Sequence, residues 1–242
     1  MTGDRSDRIN DLFTASTRDL TPASAHHAAQ VLYAPVSRDQ EVTRLCSSVL
    51  SDTELQRADR FTTQGDKVLF IQRRAFRRFC GALASGSSQP LSQIAFSETE
   101  NGRPHLPDFP DIWFGFSSCR FSFAGAWSST HGVGIDVEDQ TRDLEPAELA
   151  HQFFSEAESK AVEGLGGQAS HRIFFHLWSL KEAALKSIGE GLPFGLNAFG
   201  FELAPSLRVV HVPPDHGGSE RFSAHMIEGA ECCTAIVIRS LT

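Results

Sequence analysis

With 242 residues, 40% of them hydrophobic, the chain has enough apolar content for one large domain or two small ones. Its net charge of −8 argues against general nucleic-acid binding, which needs a basic footprint. No apolar run reaches membrane-spanning length, and the charged opening Met1-Thr2-Gly3-Asp4-Arg5, with no apolar stretch behind it, reads as no secretory leader. Five cysteines (Cys46, Cys80, Cys119, Cys232 and Cys233) show neither CxxC nor zinc spacing and read as reduced thiols of a cytoplasmic protein.

Residues 1 to about 25 are polar without a sustained period and are expected to form a loosely packed arm. Ala28 to Val36 reads as a first strand. Ser51, with Glu54 three residues on, is a capping-box signal for a helix running to about Phe61. A longer helix is predicted from Asp66 to about Ala84, with Leu69, Phe76, Phe79, Cys80 and Leu83 as its apolar stripe. Off that stripe lie Arg73 and Arg77, one turn apart, and likewise Arg74 and Arg78. They form either a solvated basic face or a phosphate-binding wall, since guanidinium groups fork onto phosphate oxygens. Ile94-Ala95-Phe96 reads as a short strand, and Asn101-Gly102-Arg103-Pro104 as a turn. Phe114–Cys119 and Phe121–Trp127 supply further extended segments.

In Gly134-Ile135-Asp136-Val137-Glu138 the period of two sets Asp136 and Glu138 side by side, opposite Ile135 and Val137. Such a pair is either solubilising charge on a sheet edge or a site for a hard divalent cation. Pro146 sits in the first turn of a predicted helix, and Ser155 with Glu158 forms a second capping box. From about Ser170 to Ile188 one amphipathic helix is expected. It brings Trp178, Glu182 and Lys186 onto neighbouring turns, with Lys181 beside them. An acid between two lysines on a mostly apolar helix suggests an anion site, although a surface Glu–Lys pair has the same spacing. The tail reads as four short strands: Ala198–Leu203, Leu207–Val212, Phe222–Ile227 and Thr234–Ile238. They are expected to form the sheet beneath that helix.

G-I-D-V-E at Gly134, followed some forty residues later by W-S-L-K-E-A-A-L-K at Trp178, resembles the signature of the Sfp-type 4′-phosphopantetheinyl transferases. The front of that family is similar to L-S-x-x-E-x-x-R-A-x-R-F at Leu50 and to the arginine helix, and motif matches run from Leu50 to Leu203. The resemblance implies an α/β (α+β) fold of two similar halves in pseudo-twofold arrangement, 1–127 and 128–242, with the ligand between them. It implies transfer of the phosphopantetheine arm of coenzyme A to a serine of an acyl or peptidyl carrier protein by a monomeric enzyme, with Mg2+ as cofactor and neither nucleic acid nor membrane as partner. Asp136, Glu138 and Glu182 would hold the metal, and Glu182 and Lys186 would act in the chemistry. Arg73, Arg77, Arg103, Ser117, Ser118, Lys181 and Lys186 would hold coenzyme A. The family's F-F-S-x-x-E also puts Glu158 near the active site, although capping alone accounts for that residue. Where most members carry a histidine that meets the coenzyme A phosphates, this chain has Ser118, which brings no charge. A module that binds without transfer, and a Mg2+-dependent hydrolase of coenzyme A, are the two other classes.

Overall fold

The computed structural model describes residues 3–241. Helix α1 (Gly3–Ser16) leads into a two-residue strand, β1 (Arg18–Asp19), and then β2 (Gln30–Pro35), α2 (Gln40–Ser47), α3 (Asp52–Ala58) and the long α4 (Gln64–Ser85). After a short ribbon, β3 (Ser97–Glu98) with β4 (Pro104–His105), come β5 (Trp113–Ser118), β6 (Ser122–Ser128) and β7 (His131–Asp139). The remainder is α5 (Pro146–Phe153), α6 (Glu156–Glu163), α7 (Gly167–Ser187), β8 (Gly200–Glu202), β9 (Arg208–His211), β10 (Phe222–Glu228) and β11 (Cys232–Ser240). This is the mixed α/β architecture that the sequence implies.

Two antiparallel sheets organise these elements, one in the order β1-β2-β6-β5 and the other β10-β11-β7. The first lies under α4, where Phe76 and Phe79 join Phe114 and Phe123 in one core. The second lies under α7, whose Phe175, Leu180 and Ala183 pack with Ala235 and Val237 of β11. A third apolar cluster joins the sheets, with Val31 and Ala126 from one against Ile135 and Ile236 from the other.

Among the described glycines, an added side chain would meet its neighbours most closely at Gly134. Its missing side chain lets α7 lie directly on β7: a methyl group there would overlap the Ala183 carbonyl oxygen and come within 2.7 Å of the Ser187 amide nitrogen. From β5, a methyl at Gly115 would stand 3.3 Å from the Gly134 Cα. Glycine is therefore required at 134 by space, because helix and strand backbones meet there without side chains between them.

Several expectations are corrected. The polar N-terminal arm is a helix from Gly3 onward, with Met1 and Thr2 outside the described residues. Ile9 and Phe13 of α1 are fully buried, and the Phe13 ring meets Phe76 edge-on at 5.6 Å. Ile9, Leu12 and Phe13 already have helical spacing, but one turn of pattern is too short to outweigh the polar residues around it. Ile94–Phe96 is not a strand; pairing begins at Ser97. Leu83 is 51% exposed and so leaves the buried stripe of α4. Only β10 and β11 of the tail join the sheet beneath α7, whereas β8 and β9 pair separately. Gly134→Ala is expected to cost about 3 kcal/mol by overpacking the α7–β7 contact, read as a lower urea midpoint with unchanged slope.

Candidate active site

The D-x-E strand and the lysine helix meet as a consequence of that close approach. Asp136, 2% exposed on β7, accepts from Lys186 Nζ at 2.7 Å and from Ser117 Oγ of β5 at 2.8 Å, both on Oδ1. Its other oxygen, Oδ2, is buried with no hydrogen-bond partner among the described residues. Lys186 Nζ also reaches the Ile135 carbonyl at 3.2 Å and Glu182 Oε2 at 3.6 Å, and Glu182 Oε1 accepts from Trp178 Nε1 at 3.1 Å. Glu138 pairs with Arg142 at 2.9 Å. These side chains line a cleft of about 480 Å3 with Ser117, Ser118 and Arg120.

The electrostatics follow from three carboxylates sharing this space. Burial, and then the charge of Asp136, push Glu138 up to about 8 despite Arg142. Burial and Asp136 also raise Glu182, although Lys186 and the Trp178 hydrogen bond oppose them. Burial alone would lower the Lys186 ammonium, but Asp136 and then Glu182 outweigh it and hold it raised. The raised carboxyls of Glu138 and Glu182 and the raised Lys186 ammonium are thus the mark of a surplus of negative charge in one place. No group of three acids, histidines or cysteines among the described residues is drawn together as a ready metal cage. The residues nevertheless suit a hard divalent cation, which would relieve the repulsion and satisfy the buried Asp136 Oδ2.

The four arginines of α4 divide into two pairs. Arg78 forks onto Glu54, with contacts of 2.6 and 3.1 Å, and Arg74 lies 3.4 Å from the same carboxylate. Burial would raise Glu54, but the Arg78 hydrogen bond, the Ser51 amide and the charges of Arg78 and Arg74 together outweigh it and its carboxyl is lowered. These two arginines anchor α3 to α4. Arg73 instead donates to Ser118 Oγ at 3.2 Å. Arg77 lies over the Phe116 ring at 5.1 Å, and burial followed by repulsion from Arg73 lowers its guanidinium to about 10.

Arg77, Arg103, Gly189, Glu190 and Lys186 line a second cleft of about 180 Å3, so Lys186 borders both. Arg103 stacks on Trp113 at 4.1 Å, and Asn101 Nδ2 donates to Glu190 Oε1 at 3.1 Å, which ties the Arg103 turn to the end of α7. Gly189 takes φ +81°, a conformation that favours glycine, with a methyl group there 3.3 Å from the Trp113 ring. The structure thereby brings together Arg73, Arg77, Arg103, Ser117, Ser118, Asp136, Glu138, Glu182 and Lys186.

Lys181 and Glu158 lie apart from this group. Lys181 is fully buried, 2.8 Å from Glu158 Oε2, and donates to the Leu196 carbonyl at 3.2 Å and to that of Phe199. Glu158 caps α6 through Ser155 and accepts from the Phe201 amide. One residue along a helix is a rotation of about 100°, which turns Lys181 into the core while Glu182 faces the cleft. Neither Lys181 nor Glu158 lines either cleft. Arg142, which the sequence reading passed over, steadies Glu138 from four residues on. Its signal was charge complementarity across a turn, which no helical or strand period reveals.

With this geometry in view, the comparisons with known proteins agree. Residues 132–234 match the model of the 4′-phosphopantetheinyl transferase superfamily. The chain is similar to the 4′-phosphopantetheinyl transferase psf-1 of Bacillus pumilus, 33% identical over 52% of this chain and 53% of that protein. It is also similar to the 4′-phosphopantetheinyl transferase Sfp of Bacillus subtilis, 33% identical over 52% and 55% respectively. The 4′-phosphopantetheinyl transferase HetI of Nostoc sp. is 30% identical over 65% of this chain and 67% of its own length. The chain spans about half the length of the Bacillus relatives it matches. It belongs to the 4′-phosphopantetheinyl transferase superfamily.

Two outcomes test the site. Lys181→Met leaves the buried Glu158 carboxylate uncompensated and should cost about 3–5 kcal/mol in urea unfolding. In metal-free protein Glu138 binds its proton more tightly when folded than at its ordinary 4.5. Its contribution is therefore full below about 4.5 and lost as pH rises through about 8. Glu138→Gln should flatten that part of the stability–pH curve.

Proposed function

We propose that this protein transfers the 4′-phosphopantetheine arm of coenzyme A to a serine hydroxyl of an acyl or peptidyl carrier protein, with release of 3′,5′-ADP. The observation that carries this reading is the buried, half-partnered Asp136 between Glu182, Lys186 and Ser117, beside a cleft edged by Arg77 and Arg103. Carboxylates for a cation next to guanidinium groups for phosphates make a site for a pyrophosphate ester. Asp136, Glu138 and Glu182 would hold Mg2+, which supplies charge neutralisation to the pyrophosphate when bound.

The chain's own residues account for the rest. Arg77 and Arg103 hold the phosphates of coenzyme A; both guanidinium groups are lowered by burial and gain from an anionic partner. Ser117 orients Asp136. The serine oxygen attacks the phosphorus attached to the pantetheine arm, the bond from that phosphorus to 3′,5′-ADP breaks, and Glu182 accepts the serine proton. Its raised carboxyl makes it a stronger base than an ordinary one. Lys186, raised and held by Asp136 and Glu182, neutralises charge on the departing phosphate.

Ser118, standing where most members carry a histidine, favours a second reading, a module that binds coenzyme A or carrier without transfer. Against it, Arg73 donates to Ser118 and supplies the missing positive charge. Intact mass spectrometry of an apo carrier protein incubated with the protein, coenzyme A and Mg2+ is the test. A phosphopantetheine adduct is expected, lost in Asp136→Ala and Glu182→Ala. Coenzyme A bound and intact with several unmodified carriers would favour the binding module. Release of 3′,5′-ADP without an adduct would favour a hydrolase.

A further inference from the structure

The cysteines, read from the sequence as unremarkable thiols, are not equivalent in the structure. Cys46, Cys80 and Cys233 are buried, and burial raises each thiol, Cys46 and Cys233 to about 12. Cys119 differs. It lies in the β5–β6 turn, closed by its amide donating to the Ser122 carbonyl at 2.9 Å, and it is only partly covered. Its sulfur is 3.3 Å from that of Cys232, the first residue of β11, with Ser122 Oγ 3.5 Å from Cys119 and 3.9 Å from Cys232. The Cys232 thiol hydrogen-bonds to Cys119 and lowers it to about 6, while Cys232 itself is raised. Cys119 lines the cleft that holds Asp136 and Glu182. Cys232 lines a neighbouring cleft of about 830 Å3, and Arg120 borders both. The pair thus sits at the seam between the two sheets, with Cys119 partly exposed and Cys232 buried behind it.

We infer that Cys119 and Cys232 are an oxidative modification site that closes to a reversible disulfide between the two halves of the fold. Two sulfurs already in contact need to close only from 3.3 Å to the roughly 2.0 Å of a disulfide. With a peroxide as oxidant, the Cys119 thiolate attacks one peroxide oxygen. The O–O bond breaks, a sulfenic acid forms on Cys119, and the released hydroxide takes up a proton. The Cys232 sulfur then attacks the Cys119 sulfur, the S–O bond breaks, and water leaves with the Cys232 proton. Two thiols and one peroxide become one disulfide and two waters. The bridge closes a loop of 113 residues and pins the turn that carries Ser118 to the strand paired with the D-x-E strand.

The test uses the full chain, hydrogen peroxide and no other ligand, so it stands apart from the transferase reading. Intact mass is expected to fall by two hydrogen masses. A non-reducing peptide map should join the Cys119 peptide to the Cys232 peptide, and dithiothreitol should reverse both changes. Closure of so long a loop should raise Tm by about 4 °C or more. Cys232→Ser should leave a Cys119 sulfenic acid trapped by dimedone, and Cys119→Ser should abolish oxidation at Cys232. Oxidation of Cys119 to sulfinic acid with Cys232 still a thiol, a bridge between any other pair, or no mass change would each overturn the inference. The wild-type peptide map decides even where a variant fails to fold.

Discussion

The candidate site depends on one steric constraint, the direct contact of α7 with β7 at Gly134. Side chains normally hold a helix about 10 Å from the sheet beneath it. Here the absence of a Cβ lets the backbones meet. Lys186 can then reach across and down to Asp136, although its own position is a full turn beyond Glu182. Gly115 lets β5 approach β7 as well, so that Ser117 arrives at the same carboxylate. The acids, the lysine and the serine are brought together by two positions with no side chain.

A second theme is how buried charge is answered. Glu54 answers Arg74 and Arg78, and Glu158 answers Lys181. Among the described residues, three acids at Asp136, Glu138 and Glu182 face only Lys186 and Arg142, and the partly buried guanidinium groups of Arg73 and Arg77 have no carboxylate partner. Unpaired buried charge is costly and persists where a ligand supplies the partner. The two unanswered groups are of opposite sign and adjoin each other at Lys186, which suits a substrate that carries both phosphate and a cation.

Much of this was legible in the sequence. The D-x-E strand and the lysine helix were found within a few residues of their bounds, and both capping boxes at Ser51 and Ser155 formed as their spacing required. Other features were not legible, for identifiable reasons. Periodicity assigns a residue to a face but not to what opposes it, so only the resemblance set Arg73 and Arg77 apart, and the engagement of Arg74 and Arg78 by Glu54, some twenty residues away, left no mark in the sequence. The placement of Lys181 in the core against Glu158 depends on segments far along the chain. The contact of Cys119 with Cys232 joins segments 113 residues apart and leaves no local trace.

The capping boxes carry one more consequence. In each, the glutamate at the third helical position closes its own short helix and also neutralises a buried cation on a long helix, Arg78 on α4 or Lys181 on α7. Helices of seven and eight residues are too short to persist in isolation. Their first turns are held by long-range ion pairs, so each short helix and its long neighbour should open and close as one cooperative unit. Fraying at Ser51 or Ser155 is then coupled to the helices that carry the candidate site, and hydrogen exchange at those remote helix starts becomes a gauge of how firmly the site is held.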